Sequence, residues 1–139
     1  MHADGSSDEV IRPTEKPSRV RPSRPRKRIV VLIDYIDHVS GGYEPQLRAG
    51  VDASCRARGF ELLIVVGRPF DHPDPVSRIH NGIYELLDEY SADGVIFLSA
   101  SLAAYTGPER IAAFRERLGS VPVCSVGAEV PGIPSIVKR

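Results

Sequence analysis

The chain of 139 residues contains no tryptophan, one methionine and two cysteines, and aromatic residues make up only 6% of it. Two cysteines are too few for a disulfide scaffold. Cys55 and Cys124 fall on different expected elements without metal-ligand spacing, so they read as buried free thiols acting as small apolar side chains, in a reducing compartment. Long apolar runs are also missing. The longest, at 29–33, 62–66 and 95–98, fall far short of the roughly 18 residues that span a bilayer, so no membrane segment is expected. The opening MHADGSSDEV has neither a basic n-region nor an apolar h-region, so no secretory signal is read and the cytoplasm is the expected location. What remains, 42% hydrophobic and 26% charged, is the composition of one globular domain.

Net charge is absent as well, with 18 basic and 18 acidic side chains, but the balance conceals an asymmetry. Residues 1–28 carry eight basic groups against four acidic ones, leaving ten against fourteen for the rest. The same stretch holds Pro13, Pro17, Pro22 and Pro25 and few apolar residues. It cannot bury enough surface to offset the entropy of ordering, so residues 1–27 are expected to form a disordered Pro/Arg-rich leader. Its RVRPSRPRKR run could contact nucleic acid through counterion release, but it lacks helical periodicity and interleaved aromatics. The prolines forbid a continuous basic helix, a stretch this short holds no helix-turn-helix, and direct DNA binding is not expected.

From Arg28 onward, short Val/Ile-rich runs alternate with segments of helical period. RIVVLID, FELLIVVG, GVIFLSA and VPVCSVG read as four strands, continuous rather than alternating as in parallel sheets covered on both faces. Leu47, Val51, Cys55 and Arg58 recur at helical spacing after Pro45, and Gly59 ends that helix. A second stripe runs through Val76, Ile79, Ile83, Leu86, Leu87 and Tyr90, with Asp74 as its N-cap. The third consists of Ile111, Phe114 and Leu118, with Glu109 in its first turn and Gly119 at its end. The closing IPSIVKR would add a short strand or a departing linker. The expectation is a three-layer α/β/α sandwich with a parallel sheet, Rossmann-like or flavodoxin-like, over residues 28–139.

In such a sheet, ligands bind outside the carboxyl ends of the strands. The loop after the first strand offers Tyr35, Asp37, His38, Ser40 and Tyr43 around Gly41 and Gly42. The second offers Arg68, Phe70, Asp71 and His72; the third Ser99, Ser101 and Tyr105; the fourth Gly127, Ala128 and Glu129. Neither phosphate-loop pattern occurs, so no nucleotide cofactor is expected. Hydroxyls, carboxylates, an arginine and aromatic rings together suit a neutral polyhydroxylated ligand, whose faces stack on rings while its OH groups need paired donors and acceptors. His38, His72 and His80 with Asp34, Asp37 and Asp71 match no metal or nucleophile motif, and no enzymatic function is expected. Asp34 ends the first strand as a phosphoacceptor would, but no acidic residue follows the third strand.

The segment RIVVLIDYIDHVSGGYEPQLRAGVDASCRARGFELLIVVG, followed by HNGIYELLDEYSADGVIFLSA and RLGSVPVCSVGAEVPGIPSIV, resembles the N-terminal lobe of the type 1 periplasmic-binding-protein-like fold. That lobe belongs to the effector domain of the lac and galactose repressor family, and the resemblance covers roughly residues 28–137. It implies ligand recognition between two lobes, with hinge closure read out elsewhere. By position, Asp37, His38 and Tyr43 match the first ligand loop, Ser99 and Ser101 the third-strand loop, and Gly127 with Glu129 the fourth.

The repressors carry a DNA-reading module before this lobe and a second lobe after a PSIV strand. Here a Pro/Arg-rich leader precedes the lobe and Lys138 and Arg139 follow the PSIV segment. The resemblance therefore implies a sensor-type version placed ahead of a signalling output domain, read as a fragment without its second lobe. The sequence-level expectation is a sugar-like ligand-sensing domain with ligand residues Asp37, His38, Tyr43, Arg68, Phe70, Ser99, Ser101 and Glu129. The alternative is a protein-interaction or homodimerisation domain that pairs through its helices.

Overall fold

The computed structural model describes residues 24–35 and 43–137. Five strands form one all-parallel sheet: β1 (Arg28–Ile33), β2 (Glu61–Val66), β3 (Gly94–Leu98), β4 (Val123–Val126) and β5 (Ser135–Ile136), in the spatial order β2-β1-β3-β4-β5. The chain steps from β1 outward to β2, then returns past β1 to lay down β3, β4 and β5. This is the doubly wound, flavodoxin-like order, whose topological switch point lies between β1 and β3. The IPSIV segment supplies β5 as a short edge strand.

Helix α1 (Tyr43–Arg58) covers one face, setting Leu47 and Val51 against Val31, Ile33 and Leu98. It ends at Gly59, whose φ of 69° is the left-handed conformation that glycine adopts without a Cβ penalty. The other face holds the larger core. There Val30, Leu32, Val95 and Phe97 meet Phe70, Tyr84, Leu102 and the buried stripe Ile111, Phe114 and Leu118. That stripe lies on α4 (Glu109–Arg115) and the 3-10 turn after it (Glu116–Leu118). Phe114 touches three rings, those of Phe70, Tyr84 and Phe97.

The β2–β3 crossover departs from the expected single helix. Asp74 does cap α2 (Pro75–His80), accepting from the Val76 N–H, but α2 has only six residues before a 3-10 helix follows over Asn81–Leu86. The Asn81 side chain accepts from the Arg68 N–H at 2.6 Å and donates to the Pro69 carbonyl at 2.9 Å, fixing the chain to the preceding loop at the point of change. A 3-10 helix turns 120° per residue instead of 100°, so the stripe rotates out of register. Ile79 and Leu86 are left 78% and 76% exposed, while Tyr84, outside the expected stripe, is 1% exposed. Leu87 alone of the stripe is fully buried.

Strand β3 is also shorter than the GVIFLSA reading. The chain enters α3 (Ser99–Leu102) directly after Leu98. Cys55 is buried and Cys124 half-buried, both as free thiols whose pKa is raised by burial. Residues 24–27 of the expected leader are among those described. Arg24 pairs with Asp93 at 3.2 Å, tying the start of the domain to the turn before β3. No helix among the described residues is long and apolar enough to cross a membrane.

Candidate functional site

At the carboxyl ends of the strands, over the β1/β3 switch point, lies a crevice of about 210 Å³ lined by Asp34, Tyr35, Glu44, Ser101, Val126 and Gly127, with Leu98 and Ala100. Each wall has a local cause. Asp34 and Tyr35 follow β1 directly, so the strand's last peptide sets their positions. Glu44 sits in the first turn of α1, where an anion suits the helix dipole, and its carboxylate is ion-paired to Arg48 one turn on at 3.2 Å. Ser101 projects from α3, its hydroxyl donating to the Leu98 carbonyl at 3.3 Å. Gly127 has φ of 94°, and a Cβ there would lie 2.9 Å from the Ala100 Cβ, so only glycine lets the β4 loop approach α3 this closely.

Beneath the crevice, buried hydroxyls fix the scaffold. Ser125 on β4 donates to the Ala128 carbonyl at 2.7 Å and shares a 2.6 Å bond with Ser99, joining the end of β3 to the turn after β4. Tyr84 donates to the Ile33 carbonyl at 3.0 Å, one peptide before Asp34, and lies 3.2 Å from the Arg68 carbonyl. Burial, and then the neighbouring Asp34 charge, push the Tyr84 phenol well above its ordinary range, so it remains a donor at any physiological pH. Gly67 makes room for that ring, since a Cβ there would be 2.3 Å from Tyr84 Cζ.

The expected ligand residues divide into four groups. Ser101 lines the crevice. Ser99 is fully buried with its hydroxyl engaged by Ser125, and Phe70 is a core ring against Tyr84 and Phe114. Arg68 lies beyond the far side of β1 at the end of β2, its guanidinium donating to the Gly67 carbonyl at 2.9 Å, and Glu129 is exposed on the β4 loop. Asp37, His38 and the Tyr43 side chain lie outside the described residues. Asp34 and Glu44, absent from the expected set, supply the crevice carboxylates. The legible signal for Asp34 was its place as the first polar residue after an apolar strand; nothing in the sequence distinguished Glu44 from other first-turn acids.

A second polar cluster joins the β2 loop to α4. Asp71, with φ of 53°, pairs with Arg110 at 3.3 Å, and the Arg110 guanidinium lies 4.5 Å from the centre of the Phe70 ring. These groups satisfy one another and act as a brace. An apolar groove of about 680 Å³ runs beside α1, but its lining includes Ile29, Gly94 and Pro122, at the opposite ends of the strands. Gln46, Ser54 and Arg58 also line it, but it lies away from the strand ends at which the switch point falls. No group of three metal-ligating side chains occurs among the described residues.

Fold and crevice thus define a doubly wound parallel α/β domain with a small acidic cleft at its switch point. No family model, curated protein or solved structure matches the chain.

Proposed function

We propose that this chain is the small-molecule-sensing domain of a bacterial regulatory or signal-transduction protein of the lac-repressor type, binding a sugar-like ligand at the ends of its strands. The observation that carries this reading is the crevice at the β1/β3 switch point. Asp34 and Glu44 offer carboxylate acceptors to ligand hydroxyls, Ser101 a hydroxyl, and Tyr35 an exposed ring beside them. Carboxylates that accept from hydroxyl donors and a ring that stacks on a C–H face are the recognition chemistry of polyols.

The crevice volume of about 210 Å³ lies below the roughly 300–1,000 Å³ of pockets that enclose a small ligand, so it grips one face of its ligand and leaves the other to a further surface. Binding by this chain alone is therefore weak. The test is saturation-transfer NMR on the whole chain with D-galactose, D-ribose and adenosine as separate probes. Transfer to at least one sugar, diminished by Asp34→Asn and by Ser101→Ala, is the expected result. Transfer to none of the three, or equal transfer in both variants, overturns the assignment.

A further inference from the structure

Between the β2 loop, α2 and α4 lies a cavity of about 390 Å³ that shares no lining residue with the crevice at the switch point. Its volume falls within the range of roughly 300–1,000 Å³ in which small ligands are held. Arg78 of α2 and Arg110 of α4 line it, together with Asp71 of the β2 loop and Glu85 of the 3-10 helix.

Both guanidinium groups are held in place by the protein, and each keeps one edge open. Arg78 donates through Nη1 to the His72 and Pro73 carbonyls, both at 2.9 Å. Its Nε and Nη2 have no partner among the described residues, and these two N–H groups form the side of the fork that meets both oxygens of a carboxylate. Arg110 is pinned by its stacking on Phe70 and through Nε, 3.3 Å from Asp71 Oδ2. That pair satisfies the two charges but engages neither Nη group of Arg110 and only one oxygen of Asp71. Asp71 is also the one non-glycine residue among those described with a positive φ, a costly conformation of the kind that clusters at ligand clamps.

The charge balance selects the kind of ligand. Asp71 neutralises Arg110, and Glu85 is ion-paired to Arg117. Asp74, four residues before Arg78, turns its carboxylate to the Val76 N–H and the Ser77 hydroxyl. Arg78 bonds only to neutral carbonyls, so one positive charge is left over. A phosphate dianion would exceed that charge beside the Asp71 and Glu85 carboxylates, and a neutral sugar would leave it unused. We infer that this cavity binds a small hydroxylated monocarboxylate of the sugar-acid class. Its carboxylate lies on the Nε and Nη2 edge of Arg78, and its hydroxyls bridge the Nη donors of Arg110 and the second oxygen of Asp71. This inference is independent of the ligand assignment at the switch point.

The test is an amide-resolved NMR titration of the full chain with D-gluconate, using D-glucitol, the same polyol chain without the carboxylate, and acetate as separate probes. D-Gluconate is expected to shift the Asp71, Arg78, Gly82 and Arg110 amides saturably. D-Glucitol and acetate should each bind there roughly tenfold more weakly or worse, as should D-gluconate to Arg78→Gln. Circular dichroism checks that Arg78→Gln keeps its fold, and the D-glucitol comparison reads the carboxylate's contribution on the unaltered chain. No saturable shift at these four amides overturns the inference, as does a response confined to Asp34, Tyr35 and Ser101, which belongs to the crevice. Equal affinity for D-glucitol or for acetate, or equal affinity of a folded Arg78→Gln for D-gluconate, overturns it as well.

Discussion

The two crossovers on the larger core face begin with similar sequence signals and end differently. In the β3–β4 crossover, Ile111, Phe114 and Leu118 recur at helical spacing and all three are buried. In the β2–β3 crossover, Val76, Ile79, Ile83 and Leu86 recur just as regularly, yet all four are exposed. The difference lies in the polar anchors. The β3–β4 helix continues into a single 3-10 turn, too short to rotate its stripe away from the sheet. In the β2–β3 crossover, Asn81 bonds the loop backbone on both sides of Pro69 and the helix gives way to two turns of 3-10 geometry. Periodicity reports which residues share a face only while the helix keeps its pitch.

The sharpest way to break this comparison is to truncate one member of each stripe. Phe114→Ala removes a ring wedged among Phe70, Tyr84 and Phe97 and should cost about 3–5 kcal/mol, a large part of the roughly 5–15 kcal/mol that stabilises a domain. Ile79→Ala, on a surface position, should stay within about 0.5 kcal/mol. Urea denaturation followed by circular dichroism measures both, and comparable losses would show that the Ile79 face is buried in solution.

An intermediate effect is expected at Tyr84, the side chain that replaces the stripe on the inside. Tyr84→Phe removes one of two donors to the Ile33 carbonyl, which keeps its bond from the Gly67 N–H at 2.9 Å, at a cost of about 0.5–1.5 kcal/mol. The phenol's pKa is raised in the folded state by burial, so above its ordinary value near 10 the unfolded chain has lost this proton while the folded chain still holds it. Stability from this group is complete below that value and falls as pH rises further, because the unfolded state then binds fewer protons. Wild type should therefore lose stability in alkali more steeply than Tyr84→Phe. Equal slopes in thermal melts above pH 10 would mean that the phenol ionises as freely in the fold as out of it.

The parallel strands, the α1 stripe and the α4 stripe were legible in the sequence because each depends on a local pattern of apolar residues. The crevice was legible as a location, since strand ends at a switch point collect ligands whatever residues occupy them. Its membership was legible only in part. Ser101 and Gly127 could be placed by counting from the end of a strand, but Ser99 and Phe70 look identical in sequence whether they face solvent or core. Ser99 turned inward because Ser125, 26 residues away, offers a partner for its hydroxyl. Phe70 is turned inward onto the rings of Tyr84 and Phe114, with Asp71 in a left-handed conformation directly after it. Both are decided by long-range packing or by one backbone angle, which no periodicity encodes.

The smallest expected effect tests whether the exposed half of the β2–β3 crossover is coupled to the core at all. Asp74 caps α2 through the Val76 N–H and also accepts from the Ser77 hydroxyl, both at 3.3 Å and in water. Loss of such a cap costs about 0.5–2 kcal/mol where the helix it starts is part of the cooperative unit. Helix α2, however, has no buried residue of its own, so the remainder of the fold gains little from its being intact. Asp74→Ala should therefore speed amide exchange locally, from the Val76 N–H through the Arg78 N–H that bonds to the Asp74 carbonyl, and shift the global melting temperature by about 2 °C or less. A larger shift, approaching that of Tyr84→Phe, would show that the solvent-facing turns and the buried 3-10 segment unfold as one body. The contrast between the two crossovers would then lie in what their side chains touch and not in how firmly each is held.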